Sequence, residues 1–225
     1  MTSSLLDGLR GGLIVSCQAY PGEPMRDPGT MARVSHAVAA GGAVAVRLQG
    51  TADIRAARPR LGVPVVGIWK DGDGDVVITP TLRHALAVAE AGADIVAVDG
   101  TRRPRPDRRT LATTVAELRE LVDVTVMADC GSLDDALAAQ EAGVDVLATT
   151  LAGYTPERAR TTGPDLELLD AMVGRCTLPV VAEGRFHTPA QAREGLARGA
   201  WAVCVGTAIT HPATLTRQFR AAMAP

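Results

Sequence analysis

Lys70 is the only lysine in a chain of 225 residues that otherwise carries its positive charge on arginine. It follows the apolar run Val63-Pro64-Val65-Val66-Gly67-Ile68-Trp69. A chain that uses arginine elsewhere keeps one lysine for a property arginine lacks: an ammonium that gives up its proton when buried or set beside another cation, as Arg47 would be. The second ionisable residue of note is Glu183, which closes the run Pro179-Val180-Val181-Ala182 and precedes Gly184. Two such groups on opposite sides of a ligand suit removal of a proton on one face and its return on the other. A Schiff base is the other chemical use of such a lysine and needs a carbonyl substrate. A structural ion pair of Lys70 with Glu183 or Asp129 is the non-catalytic alternative.

A second chemistry is legible in two glycine-ended runs, Gly184-Arg185 and Gly206-Thr207. Backbone N–H groups without side-chain obstruction, a short helix starting at Thr207 and the charge of Arg185 would together hold a phosphate. Tight turns with no ligand are the alternative. No two of the four histidines have metal-ligand spacing, and no carboxylate cluster suited to magnesium is read, so no metal is expected. The four cysteines, Cys17, Cys130, Cys176 and Cys204, form no C-x-x-C pair and read as reduced thiols. Cys17 and Cys130 stand near strand ends, where either buried packing or a place in a pocket wall is open to them.

These residues need elements to position them, and one pattern recurs. Ala-Gly-Gly-Ala-Val-Ala-Val-Arg at 40–47 is echoed by Ala-Gly-Ala-Asp-Ile-Val-Ala-Val-Asp at 91–99, by Ala-Gly-Val-Asp-Val-Leu-Ala-Thr at 142–149 and by Arg-Gly-Ala-Trp-Ala-Val-Cys-Val-Gly at 198–206. Each reads as a helix end, a glycine cap and a strand. Further strands open with proline or a polar residue. Eight result, near 13–17, 44–48, 64–69, 94–98, 124–128, 145–149, 179–183 and 201–205. Continuous apolar runs mark strands covered on both faces, hence parallel. Amphipathic stretches lie between them, with N-caps at Thr81, Ser132 and Thr188-Pro189. The reading is one α/β domain over 1–225, a (β/α)8 TIM barrel, in preference to an open doubly wound sheet.

In such a barrel chemistry sits at the C-terminal strand ends. Those ends carry Ser16-Cys17-Gln18, Arg47, Lys70, Asp99, Asp129, Thr149-Thr150, Glu183 and Gly206, a nearly complete polar ring. Strands three and seven lie four apart, so Lys70 and Glu183 should face each other. The loop from Asp99 to Arg109 holds five arginines; its prolines and aspartates favour a stiff loop over the mouth rather than a polyanion site.

Composition excludes several classes. A net charge of −2 offers no field for nucleic acid or an anionic membrane, and an aromatic content of 3% offers no base-stacking surface. No apolar run approaches the ~20 residues of a membrane span. The N-terminus lacks the pattern of a secretory signal, so a cytoplasmic enzyme is expected.

The motifs closely resemble the N-acetylmannosamine-6-phosphate 2-epimerases of bacterial sialic acid catabolism. They include Gly11 to Ala19 with Pro21-Gly22-Glu23-Pro24, Gly42-Ala43-Val44 with Arg47, Pro64 to Lys70, Ile78-Thr79-Pro80-Thr81 and Ala91-Gly92-Ala93-Asp94. They continue through Arg103-Pro104-Arg105-Pro106, Met127-Ala128-Asp129, Thr149 to Thr155, Gly163-Pro164-Asp165, Val181 to Arg185 and Val205 to Thr210. The resemblance runs almost end to end. It implies an enzyme without metal or organic cofactor, acting on an amino-sugar phosphate, with a homodimer as its plausible assembly. It implies Lys70 and Glu183 as the catalytic pair, Gln18, Arg47 and Asp129 around the sugar, and Gly184, Arg185, Gly206 and Thr207 on the phosphate. The chain departs from the family pattern in four places. Asp71-Gly72-Asp73-Gly74-Asp75 stands where the family has a basic residue and a tyrosine, and His211 where it has arginine. Gly100 stands where alanine is usual, and Gly131 near a usual hydroxyl residue. A pentulose phosphate epimerase would be expected to show paired metal-binding histidines and aspartates. A non-catalytic sugar-phosphate sensor would have little need of Lys70.

Overall fold

The computed structural model describes residues 2–223. The strands are β1 (Leu13–Cys17), β2 (Ala45–Gln49), β3 (Val65–Ile68), β4 (Ile95–Asp99), β5 (Thr125–Asp129), β6 (Val146–Ala148), β7 (Val180–Glu183) and β8 (Ala202–Val205). They pair in parallel in the order β1 to β8, and β8 returns to β1, closing the barrel. Between and around them run α1 (Thr2–Asp7), α2 (Pro28–Ala40), α3 (Thr51–Ala57), α4 (Leu82–Glu90), α5 (Leu111–Leu121), α6 (Leu133–Glu141), α7 (Leu166–Arg175), α8 (Pro189–Ala197), α9 (Thr207–Thr210) and α10 (Pro212–Ala222). The (β/α)8 barrel expected from the repeated glycine-cap-and-strand pattern is the fold.

Strand alternation splits the core into two layers. Ile14, Val66, Ile68, Ile95, Met127 and Val181 point into the barrel, whereas Val15, Val46, Val65, Val96 and Val180 face the helices. Each such side chain contributes about 1.5–3 kcal/mol by leaving water. Gly67 shows how tight the outer layer is: a Cβ there would lie 2.5 Å from Val88 and 2.7 Å from Ala93. Only glycine lets α4 press against β3, the strand that leads to Lys70.

Several strands start one residue later than the apolar pattern predicts. Asp94 and Asp145 explain two of these. Each stands just before its strand and accepts a backbone N–H from the neighbouring one, Val65 for Asp94 and Val126 for Asp145, both at 2.8 Å. Ser132 caps α6, and Thr188 with Gln191 forms a full capping box at α8 with Pro189 in the first turn. Thr81 occupies the N-cap position of α4 but makes no side-chain cap bond; its hydroxyl pairs with His84 Nδ1 at 2.7 Å. α10 differs from the barrel helices, since it buries none of its residues, and Phe219 and Met223 stand 72% and 80% exposed. Among the described residues no helix is long and apolar enough to cross a membrane.

Candidate active site

The C-terminal strand ends surround a cavity of about 650 Å³. Its walls include Gln18, Lys70, Glu183, Gly184, Arg185, Gly206 and Thr207, so seven of the nine residues singled out from sequence meet in one space. Arg47 and Asp129 are not in the wall. They lie beneath it, almost fully buried.

Lys70 is fixed by the chain doubling back after β3. Lys70 and Ile78 form an antiparallel bridge, Asp71 N–H donates to Val77 O at 3.0 Å, and Thr79 N–H donates to Trp69 O at 2.8 Å. The side chain is open to the cavity, with its ammonium 5.8 Å from the centre of the Tyr20 ring. The surrounding protein desolvates the ammonium and Arg47 repels it, so its pKa falls below the ordinary lysine value; Glu183 and Asp129 oppose that fall. Among the described residues no carboxylate forms an ion pair with Lys70; Arg47 takes both candidates.

Arg47, from β2, reaches Asp129 through Nη1 at 3.1 Å and Nη2 at 2.6 Å, and Glu183 Oε2 through Nη1 at 3.1 Å. Thr150 Oγ1 lies 2.7 Å from Asp129 Oδ1 and 3.2 Å from Glu183 Oε2. One guanidinium thus faces two buried carboxylates, leaving an excess of negative charge that a proton relieves. Burial pushes the Glu183 pKa up. Asp129 adds to that rise, while Arg47, Cys204 and Thr150 oppose it. Cys204 stands in register with Glu183 across β7 and β8, which sets its thiol beside that carboxylate. Burial keeps this thiol protonated.

At the other end of the cavity, Gly184 and Arg185 both take positive φ, +110° and +57°. The short helix α9 begins directly after Gly206, where the sequence pattern placed it. Among the described residues the N–H groups of Gly184, Arg185, Gly206 and Thr207 have no backbone acceptor. The Arg185 guanidinium is already engaged, donating to Gly163 O at 3.0 Å, Ala152 O at 2.7 Å and Thr161 Oγ1 at 3.0 Å. It ties the loop between β6 and α7 to β7. His211 lines the cavity and packs 5.3 Å from Tyr20, its Nδ1 3.9 Å from Glu23 Oε2.

The acidic 71–75 turn is anchored by Asp71 Oδ2, 2.9 Å from His84 Nε2, and brings Asp75 to the cavity wall. The arginine loop is held by its own contacts. Arg103 pairs with Asp99 at 2.9 Å, and Arg105 donates to the carbonyls of Asp99 and Pro80. Cys17 and Cys130 are fully buried, and it is Cys204 that reaches the cavity. Among the described residues no group of three or more His, Cys, Asp or Glu side chains converges as a metal site.

Sequence reasoning placed Thr150 in the ring of strand ends without assigning it a role, although its position beside two carboxylate-bearing strands was the available signal. Tyr154 stood inside the quoted motif Thr149 to Thr155 without a role assigned to it, and nothing pointed to Arg160; both line the cavity from the loop after β6.

Residues 31–225 match the family model described as "Putative N-acetylmannosamine-6-phosphate epimerase". A Cutibacterium acnes protein named "Putative N-acetylmannosamine-6-phosphate 2-epimerase" is 58% identical over 224 residues, 99% of this chain and 98% of its own. A Klebsiella pneumoniae protein of the same name is 48% identical over 203 residues, 89% of this chain and 84% of its own. The solved structure of the N-acetylmannosamine-6-phosphate 2-epimerase from Clostridium perfringens superposes with a TM-score of 0.93 at 34% identity, covering 97% of this chain and 96% of that one. A thiamine phosphate pyrophosphorylase from Pyrococcus furiosus, 21% identical with a TM-score of 0.60, shares the fold alone.

Proposed function

This chain belongs to the N-acetylmannosamine-6-phosphate epimerase family, and from that premise we propose how residues 1–225 act as one catalytic unit. The enzyme interconverts N-acetylmannosamine 6-phosphate and N-acetylglucosamine 6-phosphate. In the open-chain sugar the C2 proton is α to the C1 aldehyde and acidified by it. Lys70, its pKa lowered by desolvation and Arg47, takes that proton. Glu183, its pKa raised on the opposite strand, returns a proton to the other face of the enolate. The two shifts bring an ordinary base and an ordinary acid towards each other, as acid–base pairs require. Gln18 meets the sugar from the end of β1, while Arg47, itself anchored on Asp129, holds Glu183 from below. The N–H groups of Gly184, Arg185, Gly206 and Thr207 receive the phosphate.

The observation that carries this reading is the placement of Lys70 just past the end of β3 and Glu183 at the end of β7 of one closed barrel, both in the wall of one cavity. The test is incubation with N-acetylmannosamine 6-phosphate in D₂O followed by NMR. Epimerised product carrying deuterium at C2 is expected. Product without deuterium would sink proton exchange, and no product would sink the activity.

The assembly is a homodimer in this reading. α10 leaves Phe219 and Met223 exposed and buries nothing of its own chain, an apolar face suited to a second copy. Sedimentation should give a dimer, and Phe219→Glu should shift it to monomer. A wild-type monomer at micromolar concentration would end that proposal. The four free cysteines fit a reducing compartment, the cytoplasm.

A further inference from the structure

The phosphate end of the cavity needs a positive charge that the assigned residues do not supply. A phosphate monoester carries about −1.5 to −2 charges at neutral pH. Backbone N–H groups offer partial charges only. Lys70 stands at the reacting carbon. Three arginines line the cavity: Arg103, Arg160 and Arg185. Arg103 is neutralised by Asp99 at 2.9 Å. Arg185 has its guanidinium on two carbonyls and a hydroxyl of the loop after β6. Arg160, among the described residues, makes no ion pair and no hydrogen bond. Its one specific contact is with the face of Tyr154, 4.9 Å from guanidinium carbon to ring centre.

That placement is built into the loop. Gly153 adopts φ +72°, and a Cβ there would lie 2.6 Å from Arg160 Cα, so the loop crosses itself at a point only glycine permits. Tyr154 follows directly and stands between two cations, with Arg185 5.5 Å from its ring centre and Arg160 at 4.9 Å. Arg185, fixed by its three acceptors, fixes the ring. The ring in turn holds Arg160 beside the loop that begins at Gly184. The cation–π contact orients the guanidinium while leaving all its N–H donors available.

We propose that Arg160, carried on Tyr154, is the cation that selects the phosphate group of the substrate. This rests on the epimerase reading for the identity of the ligand, but not for its anionic character. A guanidinium suits the task because its fork of donors matches phosphate oxygens in pairs.

The test compares wild type with Arg160→Gln and Arg160→Lys. Two quantities are read: KM for N-acetylmannosamine 6-phosphate, and the Kd of inorganic phosphate by titration calorimetry. Arg160→Gln should raise both by about 10- to 100-fold, the worth of one charge-assisted hydrogen-bonded contact. Arg160→Lys should recover part of the loss, because charge returns without the fork. Tyr154→Ala should raise both by less than Arg160→Gln does, since the cation remains without its platform. Phosphate binding to Arg160→Gln as tightly as to wild type would overturn the proposal. So would a loss that Arg160→Lys does not relieve at all, which would mark a structural role. A wild type that binds phosphate in an Arg160-dependent way yet epimerises nothing would sink the reaction and leave Arg160 in place.

Discussion

Lys70 and Glu183 stand at the ends of opposite strands of one barrel, β3 and β7, and their surroundings are unlike. Glu183 is tied to Arg47 and Thr150 and lies over Asp129 in an almost buried network. Lys70 has no ion-pair partner among the described residues and opens onto the cavity. Burial and Asp129 raise the Glu183 pKa against the contacts that hold it, whereas burial and Arg47 lower Lys70 with no ion pair opposing them. The contrast has a chemical use. An unpaired lysine loses its proton without breaking a bond, and an over-supplied carboxylate site retains a proton without an added donor. Arg47 serves both sides, because its charge pushes Lys70 down while its N–H groups hold Glu183 in place.

The most severe test of this contrast is Lys70→Met. Methionine fills similar volume with no titratable group, so kcat should fall by about 10²- to 10⁴-fold, the usual worth of a general base. Stability should hardly change, because Lys70 has no ion pair to lose. A melting temperature within about 4 °C of wild type is expected, equivalent to roughly 1 kcal/mol in a chain of this size. Activity within a few-fold of wild type would show that the base is another group.

Arg47→Met should produce the opposite profile. Removing the guanidinium leaves Asp129 and Glu183 buried without their cation, at a cost of about 3–5 kcal/mol in denaturant unfolding. Activity should fall as well, since Glu183 loses its holder. A stability loss under about 1 kcal/mol would mean that the carboxylates are not held by Arg47, and the distinction between the two sides would collapse.

How much of this was legible beforehand follows from where each property resides. The barrel, Lys70, Glu183 and the two glycine turns were readable because strand ends recur at fixed places in a (β/α)8 repeat. Arg47 and Asp129 were visible as strand-end residues, yet their partnership was not, because pairing depends on which side chains cross the barrel floor. Lys70 could have taken either carboxylate on paper; Arg47 is the nearer and better hydrogen-bond donor in space. Arg185 was readable beside Gly184, yet the engagement of its guanidinium was not, because the acceptors come from the neighbouring loop, at Ala152, Thr161 and Gly163. Arg160 was invisible, since its place depends on how residues 151–163 cross at Gly153.

The pH profile separates the two groups further. Lys70 must be neutral and Glu183 protonated, so the lowered Lys70 pKa and the raised Glu183 pKa each set one limb of a bell-shaped profile. Thr150 lowers the Glu183 pKa by hydrogen bonding. Thr150→Val should therefore move the limb of kcat/KM set by Glu183 to higher pH and leave the other limb in place, with less than about tenfold loss of rate. Movement of both limbs or of neither would mean that Thr150 does not tune Glu183.

The smallest effect is expected at His211, where the rim meets neither catalytic network directly. Its ring stacks near Tyr20, and Glu23 Oε2 lies 3.9 Å from Nδ1. An arginine at this place would bring a permanent charge to the cavity wall, but Glu23 stands ready to neutralise part of it. His211→Arg should lower KM for the phosphorylated sugar by a few-fold only, well short of the full worth of a charge-assisted contact. Combining it with Glu23→Gln should enlarge the gain, because the competing carboxylate is removed. If KM stays unchanged in both variants, His211 does not reach the phosphate, and the charge at that end of the substrate rests on the loop after β6 alone.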